Sequence, residues 1–428
     1  MSQDRMDTTS LWMATSQAPS YAPVDGDHAV DVVVVGGGIT GVTAAYLLKQ
    51  AGRRVALVER RRCGWGETGR TAAHITAVTD APLSTLVTRL GPDHAQAVWD
   101  AGFAALARIR ANVRDERINC QFAWVPGYLY AGRDTDLAYA RAEMRREAVV
   151  AGALGIDATY LDSVPGIGRP GVMFENQARM HPLRYIEVLL SRIHGDGSLV
   201  FEGSEVTAID DVPTGVRVGR YRLRADYVVL ATHVPVVRDI WLPAELTTRT
   251  SYAVRGVAAP GTLGPGLYWE STADGAYDYL RVDRLETQDE VILGGRDGEP
   301  GRVLQEDCFR DLEATLSARV PGVTITHRWT GEVVNSRDGL PYIGEVAPRR
   351  FAATGFSGNG MTFGTLAGMM AADAAMGRRS PWRHLFDIRR TAPPTGSWDY
   401  RYENRDHPYY AGKRATMASP VPVGHVPR

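Results

Sequence analysis

Cysteine is scarce in this sequence. The 428 residues include only Cys63, Cys120 and Cys308, and no two of them form a C-x-x-C pair. An odd number of cysteines without paired spacing predicts reduced thiols rather than a disulfide framework. The same spacing argues against a structural zinc site or an iron–sulfur cluster. We therefore predict no metal site in this chain.

Long hydrophobic runs and an excess of one charge are also missing. No stretch approaches the roughly 20 consecutive apolar residues of a membrane-spanning helix, and residues 1–27 lack the apolar segment of a signal peptide. The formal net charge is −1, which disfavours nucleic acid or an anionic membrane as a partner. These features predict a cytoplasmic protein, and the chain length predicts two lobes rather than one core.

A glycine-rich turn between two apolar runs is the most informative feature that is present. Four valines, Val32–Val35, are typical of a strand buried on both faces of a parallel sheet. A G-x-G-x-x-G pattern follows at Gly36, Gly38 and Gly41, and a second apolar run ends at Glu59. Such a turn places a helix N-terminus against a pyrophosphate, and an acid about 20 residues later accepts a hydrogen bond from a ribose hydroxyl. The pattern predicts a dinucleotide-binding unit.

Hydrophobic periodicity predicts the remaining elements. We expect helices at residues 39–50, 137–153, 183–193 and 361–376, and two helices within 82–113. We expect strands at residues 121–131, 199–209, 221–230 and 351–354, a loop entering a helix at 70–77, and a loosely attached tail at 391–428. Between residues 249 and 294, short segments rich in tyrosine and tryptophan predict an antiparallel sheet. The expected fold is α/β with a second, mostly antiparallel β domain.

The order of motifs resembles the D-amino-acid oxidase, glycine oxidase and sarcosine oxidase family of FAD-dependent oxidoreductases, over residues 31–376. Beyond the glycine fingerprint, the resemblance rests on the loop at residues 66–74, the strand ends at 205–207 and 228–232, the W-x-G and D-x-x-P-x-I-G motifs within 329–344, and the glycine-rich loop at 355–362. It implies that the 66–74 loop wraps the pyrophosphate and runs along the flavin. A helix N-terminus after the last loop would stabilise negative charge on the reduced flavin.

The resemblance implies FAD as the cofactor and a Rossmann-like, glutathione-reductase-like FAD-binding domain at residues 29–82, 176–238 and 326–378. The substrate domain is expected at 83–175 and 239–325, with an N-terminal arm at 1–28 and a C-terminal tail at 379–428. The residues expected to bind FAD are Gly36, Gly38, Ile39, Thr40, Gly41, Glu59, Arg60, Thr68, Arg70, Thr71, Ala72, Val206, Ala231, Thr232, Gly331, Gly358, Asn359, Gly360, Met361 and Thr362.

The family's chemistry is oxidation of a C–N bond by hydride transfer to the flavin. In the family an arginine often clamps a substrate carboxylate; the possible positions here are Arg249, Arg255, Arg281 and Arg296, of which Arg281 best matches the carboxylate-binding strand. Two tyrosines, Tyr252 and Tyr279, either cage an amine or pack as core. His74 either acts beside the flavin, tethers it, or is structural. The candidate catalytic residues are therefore His74, Tyr252, Tyr279 and Arg281.

Two features bear on the electron acceptor. Residues 10–12 and 174–182 resemble a bacterial branch whose members often carry a C-terminal Rieske domain, for which this chain has no Cys/His set, so any iron–sulfur partner is expected to be a separate protein. In sarcosine oxidases a lysine above the flavin promotes reaction with oxygen. Here the only lysines are Lys49, in the first predicted helix, and Lys413, in the tail. We expect slow reoxidation by oxygen and a separate acceptor.

Three functions stay open at this point. The leading one is oxidation of a small-molecule amine or amino acid, with oxygen or a separate electron acceptor as the second substrate. The second is oxidation of a hydroxy acid or a biosynthetic intermediate. The third is an FAD subunit that passes electrons to a Rieske-type partner.

Overall fold

The computed structural model describes residues 8–234, 246–271, 278–299 and 305–404. The helices are α1 (Leu11–Ala14), α2 (Ile39–Gln50), α3 (Leu83–Leu90), α4 (Pro92–Asp115), α5 (Leu137–Ala153), α6 (Pro182–Ile193), α7 (Gln305–Arg319), α8 (Gly360–Ala375) and α9 (Tyr400–Glu403), with 3₁₀ turns at Glu67–Arg70 and Ser357–Asn359. The helices predicted within residues 39–193 and at 361–376 are thereby confirmed, including the pair within 82–113.

The strands, in chain order, are β1 (His28–Ala29), β2 (Val32–Val35), β3 (Val55–Val58), β4 (His74–Ile75), β5 (Ala123–Ala131), β6 (Ala158–Leu161), β7 (Gly171–Arg179), β8 (Leu199–Phe201), β9 (Val206–Asp211), β10 (Thr214–Val218), β11 (Tyr221–Arg224), β12 (Tyr227–Leu230), β13 (Leu246–Ala258), β14 (Gly266–Ser271), β15 (Tyr279–Arg284), β16 (Asp289–Gly298), β17 (Thr324–Ser336), β18 (Tyr342–Ala347) and β19 (Arg350–Thr354). They form sheets of four, six and nine strands.

The six-stranded sheet is the dinucleotide-binding unit that the valine run predicts. Its order is β18-β19-β12-β2-β3-β8, and every pair is parallel except β18 with β19. The strand Val32–Val35 is buried throughout and lies between two parallel neighbours. Gly41 lets α2 approach the turn, since a Cβ there would overlap the carbonyl oxygen of Gly36. Gly364 and Gly368 on α8 pack closely against Ile39, Thr40 and Thr43 of α2.

The nine-stranded sheet confirms the predicted antiparallel region. Its order is β17-β13-β16-β15-β14-β5-β7-β4, with β6 pairing to β7, and only β14 with β5 runs parallel. Strand β17 continues across the predicted domain boundary at residues 325/326, and β4 comes from the 29–82 segment. The division into domains at those boundaries stays a prediction. The four-stranded sheet has the order β1-β11-β10-β9.

Several local predictions were wrong. The segment 70–77 enters strand β4 rather than a helix, because His74 and Ile75 pair with β7. Residues 199–209 form two strands, interrupted where Gly203 takes a φ of +58°. Residues 221–230 also split, since β11 pairs in the four-stranded sheet and β12 pairs with β2.

The described parts of the N-terminal arm and of the C-terminal tail are attached more closely than their polarity predicts. In the N-terminal arm, Leu11 and Trp12 are buried, and Trp12 is only 2% exposed. The part of the tail that the structure describes, up to residue 404, lies on α4. There Tyr400 donates a hydrogen bond to Asp100 at 2.7 Å, and Trp398 stacks on His94 with ring centroids 5.1 Å apart. The prediction of a loosely attached tail was therefore wrong for residues 391–404. Lys413 lies outside the described residues.

Candidate active site

A single cavity of about 500 Å³ joins the six-stranded sheet to the nine-stranded sheet. It begins at the carboxyl ends of β2, β3 and β12, where ligands bind in open parallel sheets. All residues that the sequence predicts as FAD ligands line it except Gly41 and Thr362. Gly41 serves helix packing, and Thr362 exchanges hydrogen bonds with the backbone of Thr76 at 2.8 and 3.2 Å.

The dinucleotide end of the cavity is shaped by glycine. Gly36 has a φ of +108°, and a Cβ on it would overlap the carbonyl oxygen of Ala231. The N-cap of α2 is Gly38, which supplies no side chain to its free N–H groups. The carboxylate of Glu59 accepts hydrogen bonds from the N–H of Gly37 and of Arg61, each at 2.8 Å. A carboxylate has further acceptor sites, so Glu59 can also take a ribose hydroxyl. These features fit a pyrophosphate and its ribose.

The loop that follows is bound through successive carbonyl groups. The carbonyl of Gly69 accepts from Ser10, that of Arg70 from the indole of Trp329 at 2.8 Å, and that of Thr71 from the indole of Trp12 at 2.6 Å. The next two carbonyls, of Ala72 and Ala73, accept from Arg281 at 3.1 and 3.2 Å. The N-terminal arm and the nine-stranded sheet thus hold the wall of the cavity from behind.

This arrangement corrects the expected role of Arg281. Its side chain is 1% exposed and does not line the cavity. Besides the loop carbonyls it binds the carbonyl of Met180 and the carboxylate of Asp283, at 3.1 and 2.6 Å, and it lies 5.0 Å from the centroid of the Trp12 ring. All its donors face protein groups, so it cannot reach a substrate carboxylate without losing them.

The other predicted clamp positions lie outside the cavity lining as well. Arg255 binds Glu290 and Thr326, and Arg296 pairs with Asp278 and Asp311. Arg249 is exposed. Tyr252 points to the opposite face of β13 from the cavity and packs on the ring of Phe309, with centroids 5.3 Å apart. Strand alternation explains this, since its neighbours Ser251 and Ala253 are the ones that line the cavity.

The far end of the cavity has aromatic walls around His74. The rings of Trp269 and Tyr279 meet the imidazole edge-on, with centroids 5.7 and 5.6 Å away. The Nε2 atom of His74 is buried and has no hydrogen-bond partner among the described residues. Burial lowers the pKa of His74 to about 3, with the nearby charge of Arg281 adding to the effect. The imidazole is therefore neutral at physiological pH and available to a ligand.

Sequence reasoning missed Asp297, Ser251 and Trp269, which line the same end. Asp297 follows Gly295 and Arg296, both with positive φ, at a bulge where β16 carries extra residues opposite β13. Bulges re-aim side chains and occur often beside active sites. Its Oδ1 atom is buried without a partner in the described structure, and burial raises its pKa. The only sequence signal was the Gly294-Gly295 pair in an otherwise regular strand.

The glycine-rich loop at the start of α8 closes the cavity on another side. The N-cap of α8, Asn359, uses its side chain to donate to the carbonyl of Val78 at 2.9 Å rather than to cap the helix. The N–H of Gly358 donates to Asp80 at 2.8 Å, and a Cβ on Gly360 would meet only open space. The helix N-terminus therefore borders the cavity with room for a planar group.

Of three further groups, Cys63 and Lys49 take structural positions, and His233 lines the cavity. Cys63 is packed against Gly37, and burial together with Glu202 raises the pKa of its thiol, which makes it a poor nucleophile. Lys49 donates to the carbonyl of Gly195 at 2.5 Å and does not line the cavity. His233 lines it, with Nε2 3.9 Å from Glu332. Within the described ranges, no group of three His, Cys, Asp or Glu side chains is arranged to hold a metal ion.

Comparisons with known proteins place the chain in a family. The family model described as DAO, FAD dependent oxidoreductase, matches residues 31–374, and the chain belongs to this family. It is an FAD-dependent oxidoreductase, with FAD as its cofactor. This confirms the recognition made from the motifs. None of the described helices is both long and apolar enough to span a membrane.

The individual relatives share low sequence identity with this chain. The chain is 26% identical over 388 residues to the putative Rieske 2Fe-2S iron-sulfur protein YhfW of Bacillus subtilis (strain 168), covering 88% of this chain and 74% of that protein. It is 26% identical over 396 residues to gamma-glutamylputrescine oxidoreductase of Escherichia coli (strain K12), covering 86% and 89%. The structure of glycine oxidase from Geobacillus kaustophilus superimposes with a TM-score of 0.71 at 18% identity, covering 85% and 99%. That likeness shows the fold.

Proposed function

We propose that the protein oxidises the C–N bond of a small amine or amino acid by transfer of a hydride from the α-carbon to FAD. The observation that carries this proposal is the pair of buried atoms without partners, Nε2 of His74 and Oδ1 of Asp297, at the aromatic end of the FAD cavity. Buried polar atoms are nearly always hydrogen-bonded. A substrate with N–H groups would satisfy both.

Each residue has a distinct task in this proposal. When bound, FAD supplies the two-electron acceptor. Trp269 and Tyr279 exclude water and restrict the substrate's position, which lowers the entropic cost of bringing the reacting atoms to the attack distance. Neutral His74 accepts or donates a hydrogen bond without adding charge. Asp297 accepts a hydrogen bond, or a proton, from the substrate nitrogen.

We further propose that the electron acceptor is a separate molecule rather than oxygen. Among the described residues that line the cavity there is no lysine, and His74 is neutral. A positive charge about 4 Å from the site of oxygen reduction would contribute roughly 4 kcal/mol at an effective dielectric of about 20. The Bacillus subtilis relative is named a putative Rieske 2Fe-2S iron-sulfur protein, which supports testing a one-electron carrier as the acceptor.

The proposal is tested by anaerobic reduction of the purified holoenzyme. Panels of amines, amino acids and hydroxy acids are mixed with the protein, and loss of the visible FAD bands is followed together with release of ammonia or an alkylamine. Bleaching by an amine or amino acid with nitrogen release supports the proposal. Bleaching by hydroxy acids alone would overturn it. If only an added reduced carrier bleaches FAD, the protein is an electron-passing subunit and the proposal fails.

A further inference from the structure

We propose that the substrate is an amine that carries no α-carboxylate, and that Asp297 binds its ammonium group. This inference rests on the proposed function, because it names the substrate class of the same site. It concerns recognition, so it can be tested by binding as well as by turnover.

The carboxylate of Asp297 has an acceptor atom left over. The Oδ1 atom is buried and has no hydrogen-bond partner among the described residues, and Ser251 only partly offsets the rise that burial causes in the pKa of the group. Among the described residues, no arginine or lysine forms an ion pair with Asp297. A buried carboxylate without a cation is costly, and a bound ammonium ion would supply both the charge and the missing donors.

The surrounding charges favour a cation over an anion. The basic side chains among the described lining residues, histidines aside, are Arg60, Arg61 and Arg70. The first two follow β3 beside Glu59, at the dinucleotide end, and Arg70 lies 3.6 Å from Glu67 in the 3₁₀ turn. His74 adds no positive charge, because burial holds its pKa near 3. A substrate carboxylate at the aromatic end would therefore face Asp297 without a cation to offset it.

Arg249 is the nearest alternative cation, and it defines the competing model. It lies two residues before Ser251 on the same face of β13, and its charge acts on Asp297. Its side chain is exposed and is not part of the cavity lining. It could reach only a group at the rim. A substrate bound by both residues would have its carboxylate far from the nitrogen, not on the α-carbon.

The aromatic walls suit the same ligand. The faces and edges of Trp269 and Tyr279 surround the neutral imidazole of His74, and aromatic rings attract ammonium groups while packing against alkyl or aryl substituents. Tyr279 is fixed by a hydrogen-bond contact of 3.2 Å between its hydroxyl and Ser251, which also contacts Asp297. The site thus combines one anionic group with an apolar pocket.

The reaction balances with these groups. The ammonium group loses one proton to Asp297 and becomes the neutral amine, as oxidation requires. Bound FAD would supply the two-electron acceptor for the hydride that the α-carbon then loses, and this loss would leave an iminium ion. Water would hydrolyse this ion to a carbonyl compound and an ammonium ion. The raised pKa of Asp297 makes its carboxylate a better proton acceptor than an exposed one.

The test uses a matched pair of ligands, phenethylamine and phenylalanine, which differ only by the α-carboxylate. Both are titrated into the anaerobic holoenzyme, and binding is read from the shift of the FAD absorbance bands while turnover is read from their bleaching. We expect phenethylamine to bind at least about tenfold more tightly than either enantiomer of phenylalanine, because like charges brought together are strongly disfavoured. This comparison needs no variant.

Two variants then test whether Asp297 is the residue that binds the ammonium group. Asp297→Asn should weaken phenethylamine binding about 10- to 100-fold, the effect of removing a charge-assisted hydrogen bond. Asp311→Asn is the control, since that exposed carboxylate contacts the neighbouring Arg296 from outside the cavity and should leave binding unchanged. FAD content and the visible spectrum report whether each variant is folded.

The outcomes separate this inference from the proposed function. If phenylalanine binds as well as phenethylamine, or if Asp297→Asn retains full affinity, the inference is overturned while C–N oxidation can stand. Selective loss of phenylalanine binding in Arg249→Gln would also overturn it, in favour of the rim model. If phenethylamine binds through Asp297 but no amine or amino acid of the wider panel bleaches FAD, the proposed function fails and the recognition site is supported.

Discussion

The ring of Tyr279 lies directly against the backbone of Gly294, its partner on the adjacent strand. The two residues are paired across β15 and β16, and a Cβ on Gly294 would overlap the tyrosine ring. Trp269 lies against Gly127 of the adjacent strand β5, where a Cβ would come within 2.6 Å of the indole, although Gly127 is paired with Leu267. Both aromatic walls of the substrate end are thus positioned by a glycine on a neighbouring strand.

The first prediction follows from this contact. Gly294→Ala should displace Tyr279 from the cavity wall and lower the free energy of unfolding by about 1–3 kcal/mol, as overpacking does in a dense core. It should also lower kcat/KM for the amine substrate. Gly298→Ala on the same strand is the control, because its nearest neighbour would be 3.9 Å away. Thermal unfolding with FAD bound, together with steady-state rates, checks both effects; equal behaviour of the two variants would contradict the role of Gly294.

The lowered pKa values of two histidines predict that the folded protein loses stability in acid. Burial lowers the pKa of His74 to about 3 and that of His181 to about 4. His181 must stay neutral, since its Nδ1 accepts the N–H of Arg184 at the start of α6. Below the ordinary pKa of 6.5 the unfolded chain takes up protons that the folded chain does not. Stability is therefore complete above pH 6.5 and falls as the pH decreases toward the folded pKa values.

The expected loss at pH 5 is about 2 kcal/mol for each of these histidines. It is measured by denaturant unfolding at pH 7 and pH 5 in the wild type and in His74→Asn and His181→Asn. Each of the two variants should reduce the difference in unfolding free energy between pH 7 and pH 5 by that amount, whatever its effect on stability at pH 7. His384→Asn, at an exposed position, should leave the difference unchanged. An unchanged difference in all three variants would refute the assignment.

Substitutions at Arg281 and Trp12 should lower the stability of the protein and its retention of FAD rather than its affinity for substrate. Arg281→Met removes the donors to Ala72, Ala73 and Met180, and among the described residues it leaves Asp283 paired with Arg179, at 3.1 Å. Breaking such a buried pair costs about 3–5 kcal/mol. We expect lower stability and faster loss of FAD, because the loop is no longer held from behind.

The matched change at the N-terminal arm is Trp12→Phe. It keeps the ring near Arg281 but removes the indole donor to Thr71, at a cost of about 1 kcal/mol. FAD release, followed by fluorescence of the freed cofactor, should rank wild type, Trp12→Phe and Arg281→Met in increasing order. A stable Arg281→Met protein that only lost affinity for amino acids would instead support a carboxylate clamp.

The sequence predicted local structure well where one segment determines it. The run Val32–Val35, the glycines after it and the acid at Glu59 act within one βαβ unit, so their pattern specified the dinucleotide end. Asp297 was not predictable, because its direction depends on a bulge formed against a strand more than 40 residues away in the sequence. For Tyr252 and Arg281 the strand itself was predicted, but which face meets the cavity depends on distant packing partners.

The last prediction concerns reaction with oxygen. Lys49 is engaged at Gly195, His74 is neutral, and Arg281 is paired with Asp283 behind the wall, so none of them places a free positive charge at the aromatic end. Loss of such a charge corresponds to about a thousandfold in rate at 1.36 kcal/mol per factor of ten. In stopped-flow mixing of the reduced holoenzyme, we expect an artificial dye to reoxidise FAD much faster than oxygen does. An oxygen rate constant of about 10⁵ M⁻¹s⁻¹ or more would contradict this. His74→Lys provides the complementary test, since it should accelerate only the oxygen reaction.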